Sequence, residues 1–115
     1  MMLMHPAAFP AAGEAPRADM VAAMLKYNEE LAQAGVLLSA DGLEQPEHGS
    51  RVRFEGGHPR VTDGPFTEAK ELIGGYWIIQ ASSQEEAVQW TSRCPAADGD
   101  MIEVRPIRQY PEDLA

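Results

Sequence analysis

Nineteen consecutive residues, from Val61 to Ile79, constrain this chain more than any other stretch. They run from Val61-Thr62-Asp63-Gly64-Pro65-Phe66 through the charged segment Glu68-Ala69-Lys70-Glu71 to Gly74-Gly75-Tyr76-Trp77-Ile78-Ile79. The first part is a glycine-proline turn that carries a carboxylate. Residues 67–71 suit one helical turn. Residues 73–81 read as the strongest strand of the chain, with Trp77 and Ile79 on one face and Tyr76 and Ile78 on the other. A strand apolar on both faces is normally covered on both. Such a strand therefore needs two covers, one on each side of its sheet.

The rest of the chain supplies the first cover. Residues 2–5 read as a short opening strand, followed by a loop rich in Ala, Pro and Gly over residues 6–16. From Arg17 the pattern becomes helical, with Met20, Val21, Met24, Tyr27, Asn28 and Leu31 on one face. Gly35 ends that helix, because glycine accepts the left-handed conformation of a C-terminal cap. Residues 36–40 read as a second strand running to a turn at Asp41-Gly42. Residues 50–55 alternate, Val52 and Phe54 against Arg51, Arg53 and Glu55, and pair as a hairpin with residues 60–62. Ser82 followed by Glu85 suggests a capping box opening a second helix. Ala87, Val88, Trp90, Thr91 and Cys94 would face inward and Pro95 would stop it. Residues 101–107 close the sheet.

Strand, helix, strand, hairpin, strand, helix, strand predicts an α+β chain of two split βαβ units, the ferredoxin-like plan with an inserted β-hairpin. Right-handed crossovers place both helices on one sheet face. The second cover is then expected from another copy of the chain, giving a homodimer packed through its sheets.

At 115 residues the chain is expected to form a single domain over residues 1–115. The lone Cys94 cannot form an internal disulfide. The apolar start Met1-Met2-Leu3-Met4 lacks the basic residues of a secretory signal, and no segment approaches the roughly 20 apolar residues of a membrane span. A cytoplasmic location follows as the expectation, with no membrane partner. The net charge of −9, with basic residues scattered, disfavours nucleic acid.

The segments Asp63-Gly64-Pro65-Phe66, Glu68-Ala69-Lys70-Glu71, Gly74-Gly75-Tyr76-Trp77, Glu85-Glu86-Ala87 and Arg93-Cys94-Pro95 resemble the DGPF group of YCII-related proteins. The likeness extends to Leu31, Ala34-Gly35-Val36-Leu37-Leu38 and Glu103-Val104-Arg105-Pro106. It implies a ferredoxin-like dimer of the dimeric α+β barrel type. Some members carry a His and an Asp lining a cleft and are suspected enzymes on that ground. Here apolar residues around Met24 occupy the helix position of that histidine, so the mechanism does not transfer directly. DGPF-group members also occur beside sigma factors of the extracytoplasmic type, which implies a regulatory alternative.

Asp63 is the first candidate catalytic residue. It fits two roles: a general base or ligand-binding carboxylate beside Gly64, or a cap on its own turn. His5, at a strand end near the expected cleft, would partner it in acid–base chemistry or simply meet solvent. Asn28, on an otherwise apolar helix face, is either a structural hydrogen-bonding hub or a cleft residue. Tyr76 and Trp77 would line a ligand pocket or serve as core and interface. Gly64, beside Asp63, is a further ligand-binding candidate, and glycines 74 and 75 permit close approach of a backbone or a ligand, but no phosphate-loop spacing is present and no cofactor is implied. His48 and His58 lie in polar turns, and no metal-ligand spacing is present. Cys94 suits packing better than nucleophilic attack. Two functions stay open: a small-molecule-binding homodimer with acid–base chemistry in a cleft, or a non-catalytic binding or regulatory module.

Overall fold

A computed structural model describes residues 1–9, 15, 17–66 and 72–111. The expected helical turn at 67–71 lies outside the described residues, as do most of the loop before the first helix and the last four residues. The elements are β1 (Met2–His5), α1 (Ala18–Gln33), β2 (Leu37–Gly42), β3 (Ser50–Glu55), β4 (His58–Asp63), β5 (Gly75–Ile79), α2 (Gln84–Thr91) and β6 (Met101–Val104), with a single 3₁₀ turn at Pro46–His48. The architecture is α+β. Four antiparallel strands form one sheet in the order β2-β5-β1-β6, and β3-β4 form a separate two-stranded sheet. The described sheets are open, and no barrel closes among the described residues.

Period-two alternation sorts the large sheet into two faces. Met2 sits opposite Trp77 and Val104, and Met4 opposite Ile102. These residues join Tyr27 and Leu31 of α1 and Trp90 of α2 in the core. Both helices therefore cover the same side. They are tied together where the Tyr27 hydroxyl donates to the Trp90 carbonyl at 2.8 Å, and Tyr27 meets the Trp77 ring edge-on at 6.2 Å. The opposite face carries the row Asp41, Tyr76, Leu3, Glu103, with His5 and Met101 beside it. No described helix covers that face.

Local chemistry sets the boundaries. Gly35 takes φ +75° just past α1, the left-handed position expected of a terminating glycine. Met20 and Val21, expected inside, are exposed, because burial on α1 is reached only at Tyr27 and Leu31. The cap of α2 is Ser83 rather than Ser82. Its hydroxyl accepts from the Glu86 N–H, and the Glu86 carboxylate reaches back to both the N–H and hydroxyl of Ser82. Val88 is exposed, whereas Ala87 stays buried, because helical spacing sets Val88 off the face that Ala87, Trp90 and Thr91 share. The hairpin turns through Gly56 and Gly57, at φ +58° and +81°. Two successive positive φ values mark the tight two-residue turn that matches strand twist.

The hairpin projects from the body. The Cα radius of gyration is 16.4 Å over extents of 46 × 45 × 19 Å, against about 13 Å for a compact chain of this length.

Candidate functional site

The best-formed concavity opens between α1 and the sheet, at the end where β2 and β5 separate. It holds about 370 Å³, within the range of small-molecule sites. Met24, Leu25 and Asn28 of α1 form one wall. Met4, Ala40 and Trp77 form the apolar floor, and Gly42, Gly74 and Gly75 bring backbone to the rim. The helical spacing puts Met24 and Asn28 one turn apart on the same face. Gly75 allows a close approach here: a Cβ on it would lie 3.1 Å from the Asp41 carbonyl oxygen, so the paired strand would have to yield by a few tenths of an ångström.

Asn28 is the polar centre of this cleft. Its Oδ1 accepts a hydrogen bond from Trp77 Nε1 at 2.8 Å, which satisfies the buried indole. The same bond fixes which way the amide points. The Nδ2 donors have no partner among the described residues, so they are available to a ligand. Asn28 is thus both hub and cleft residue. The hub reading and the cleft reading, separable in the sequence, describe two ends of one side chain.

Tyr76 and Asp41 stand at the rim. Strand alternation turns the Tyr76 ring to the face opposite Trp77, where its hydroxyl lies 3.4 Å from Asp41 Oδ2. Sequence reading missed Asp41, which looked like a turn residue. Only the register, which pairs Asp41 with Tyr76 across β2 and β5, brings it to the site, and a bulge between Leu37 and Ser39 sets that register.

Asp63, Gly64 and His5 lie elsewhere. Asp63 ends β4, paired with Ser50, and its Oδ1 accepts from the Ser50 hydroxyl at 2.8 Å. It thus holds the neighbouring strand. Gly64 donates its N–H to the Gly49 carbonyl at 2.9 Å, and any Cβ on it would overlap the Pro46 carbonyl. Arg51 lies over the Phe66 ring at 4.1 Å from its centroid. Asp63, Gly64 and Phe66 therefore join the root of the hairpin to the loop at 46–49. His5 faces the sheet side away from the helices, 3.8 Å from the Glu103 carboxylate, beyond hydrogen-bond range. Both its ring nitrogens are enclosed and without a hydrogen-bond partner among the described residues. No described bond joins His5 to Asp63.

The family profile of the YCII-related domain matches residues 1–111. The chain belongs to the YCII-related family. A relative, an uncharacterized protein of Rhizobium meliloti (strain 1021), is 32% identical over 94 residues, 80% of this chain and 73% of the relative. In this YCII-related chain Cys94 is a packing residue. Burial, and secondarily the nearby Asp100, push its thiol up to about 11, which suppresses nucleophilicity at neutral pH. No described helix is long and apolar enough to cross a membrane.

Proposed function

We propose that this YCII-related chain is a small-molecule-binding homodimer of ferredoxin-like plan, with its ligand in the cleft beside Asn28. The strand order β2-β5-β1-β6, with helices following β1 and β5 on one face, supports that plan. The motif Asp63-Gly64-Pro65-Phe66 supports placement in the DGPF group. The helix-free sheet face bearing Leu3, Tyr76 and Ile78 supports packing through sheets, by the need of apolar strands for two covers.

One observation carries the ligand reading: an amide locked by Trp77 presents spare N–H donors into a mostly apolar cleft of about 370 Å³. The chemistry that fits is a small, largely apolar molecule with one hydrogen-bond acceptor, such as a carbonyl, for Asn28.

The test is a thermal-shift metabolite screen on the wild type and on Asn28→Asp. That variant keeps the oxygen that Trp77 needs and removes the N–H donors. A ligand at one hundred times its dissociation constant adds about 2.7 kcal/mol to wild-type stability. The expected result is that Asn28→Asp, measured against its own unliganded midpoint, loses most of that gain. A variant that responds like the wild type, or a wild type that responds to nothing, overturns the assignment.

Acid–base chemistry by His5 with Asp63 is a second reading, favoured by the unpartnered ring nitrogens of His5. It requires one ligand to touch both residues. Perturbation of the His5 and Asp63 side-chain NMR signals by the same screened ligand supports it; a response of neither removes it.

A further inference from the structure

The sheet beneath the Asn28 cleft carries two glycines side by side. Register places Met4, Gly75 and Gly42 in one row across β1, β5 and β2. The next row, Met2, Trp77 and Ala40, belongs to the core that α1 covers. Strand alternation turns Gly75 the same way as Trp77, and Gly42 the same way as Ala40. The helix-covered face therefore lacks two adjacent side chains opposite Met24, Leu25 and Asn28. A glycine inside a strand often marks the close approach of a ligand. Neighbouring side chains do not fill the gap. A Cβ on Gly42 meets nothing within 4 Å among the described residues, Leu25 is 63% exposed, and about 370 Å³ stays open.

The floor of this notch has its hydrogen bonds already made. Gly42 and Gly75 are paired in the ladder of β2 and β5. The Leu43 N–H donates to the Gly74 carbonyl at 2.9 Å, and the Gly74 N–H to the Met4 carbonyl at 2.8 Å. What the floor offers a ligand is the faces of peptide planes, and the directional group is the Asn28 amide. Two thioethers line the space, Met4 on the sheet and Met24 on the helix. Thioether sulfur makes favourable contacts with aromatic rings. In sheets, an aromatic ring laid over a strand glycine restores the packing that the missing side chain forfeits. A puckered aliphatic ring of the same size touches a flat floor at fewer atoms.

We propose that the cleft is a slot for a planar aromatic ring, seated over Gly42 and Gly75 beside Met4 and Met24, with an in-plane acceptor bonded to Asn28. The inference rests on the ligand reading above and narrows its ligand to one class, aryl carbonyl compounds and aromatic heterocycles with a ring acceptor.

Benzamide and cyclohexanecarboxamide test it, because they carry the same amide on a flat and on a puckered ring. Each is titrated into the isotope-labelled full chain to about 10 mM, the range in which fragments of this size bind, and followed by NMR. Benzamide is expected to shift the Gly42, Gly75 and Asn28 side-chain amide signals, and its ring current to shift the Met4 and Met24 methyls. Cyclohexanecarboxamide is expected to bind at least about tenfold more weakly. Gly42→Leu fills the notch, and no positive φ at Gly42 opposes it. That variant is expected to keep the wild-type Trp77 signals and to weaken benzamide by at least about tenfold. Gly42→Ala adds one methyl to the same space, is expected to show a smaller loss, and replaces the leucine variant if that one disturbs β2. Equal binding of the two amides overturns the planar slot and leaves the Asn28 cleft in place. A folded Gly42→Leu that binds benzamide like the wild type does the same. Silence from both compounds also overturns the slot, and the cleft is then decided by the metabolite screen alone.

Discussion

The indole N–H of Trp77 and the amide oxygen of Asn28, 49 residues apart in sequence, meet at 2.8 Å and set the chemistry of the cleft. Trp77 is 5% exposed, so its donor has no recourse to water. Asn28→Ala removes the acceptor and leaves a buried N–H unsatisfied, at a cost of about 1–3 kcal/mol. Urea unfolding followed by tryptophan emission measures that loss. Asn28→Asp, which preserves an acceptor, is expected to lose less than Asn28→Ala.

Gly64 is expected to tolerate no side chain. In Gly64→Ala the new methyl collides with the Pro46 carbonyl, and relief requires the hairpin root to shift. Because the hairpin packs little against the core, the damage stays local. Hydrogen exchange at the Gly64 amide, which donates to Gly49 in the wild type, is expected to accelerate while Trp77 emission remains native. Global unfolding by the same substitution would show that the hairpin belongs to the folding core.

Cys94 offers a kinetic readout of burial. With its thiol raised from an ordinary value of 9.0 to about 11, the native thiolate fraction at pH 8 is about a hundredfold below that of the unfolded chain. Reaction with a disulfide reagent is expected to slow by a similar factor in the native state. The folded value lies above the unfolded one, so this group's contribution to stability is complete below pH 9 and is lost as pH rises through 11. Burial pushes the Tyr27 phenol upward as well, and its contribution also declines on the alkaline side. Cys94→Ala is expected to flatten the part of that decline between pH 9 and 11.

Ser83 caps α2, and Ser83→Ala is expected to cost about 1 kcal/mol. Glu86 adds a pH signature. The Ser82 hydroxyl, and then its backbone N–H, hold the Glu86 carboxyl below its ordinary 4.5. The folded value is the lower one, so this contribution is present above pH 4.5 and fades as pH falls through the folded value. Denaturant midpoints from pH 6 down to pH 3 are expected to fall less steeply in Ser82→Ala.

The parts of the fold legible from sequence are those governed by local periodicity and turn chemistry. Tyr27 and Leu31 on α1, Trp77 on β5, the stop at Gly35 and the Gly56-Gly57 turn all follow from residue spacing. Boundaries drifted where a side chain chose between neighbours, as when Ser83 rather than Ser82 took the cap. Register was illegible, because the bulge at Leu37 and Ser39 is a choice between pairings that the residues alone do not rank. Asp41 was missed for that reason. Asp63 read as a general base or a cap on its own turn because nothing in its neighbourhood announces Ser50, 13 residues earlier, as its partner across a ladder.

The contact of Gly64 with Pro46 makes the hairpin and the loop before it a single mechanical lever. That loop begins beside Leu43, whose N–H is bonded to the Gly74 carbonyl at the mouth of the Asn28 cleft. The mouth of the cleft and the root of the hairpin are thus the two ends of one stretch of backbone, residues 43–64, pinned at both ends.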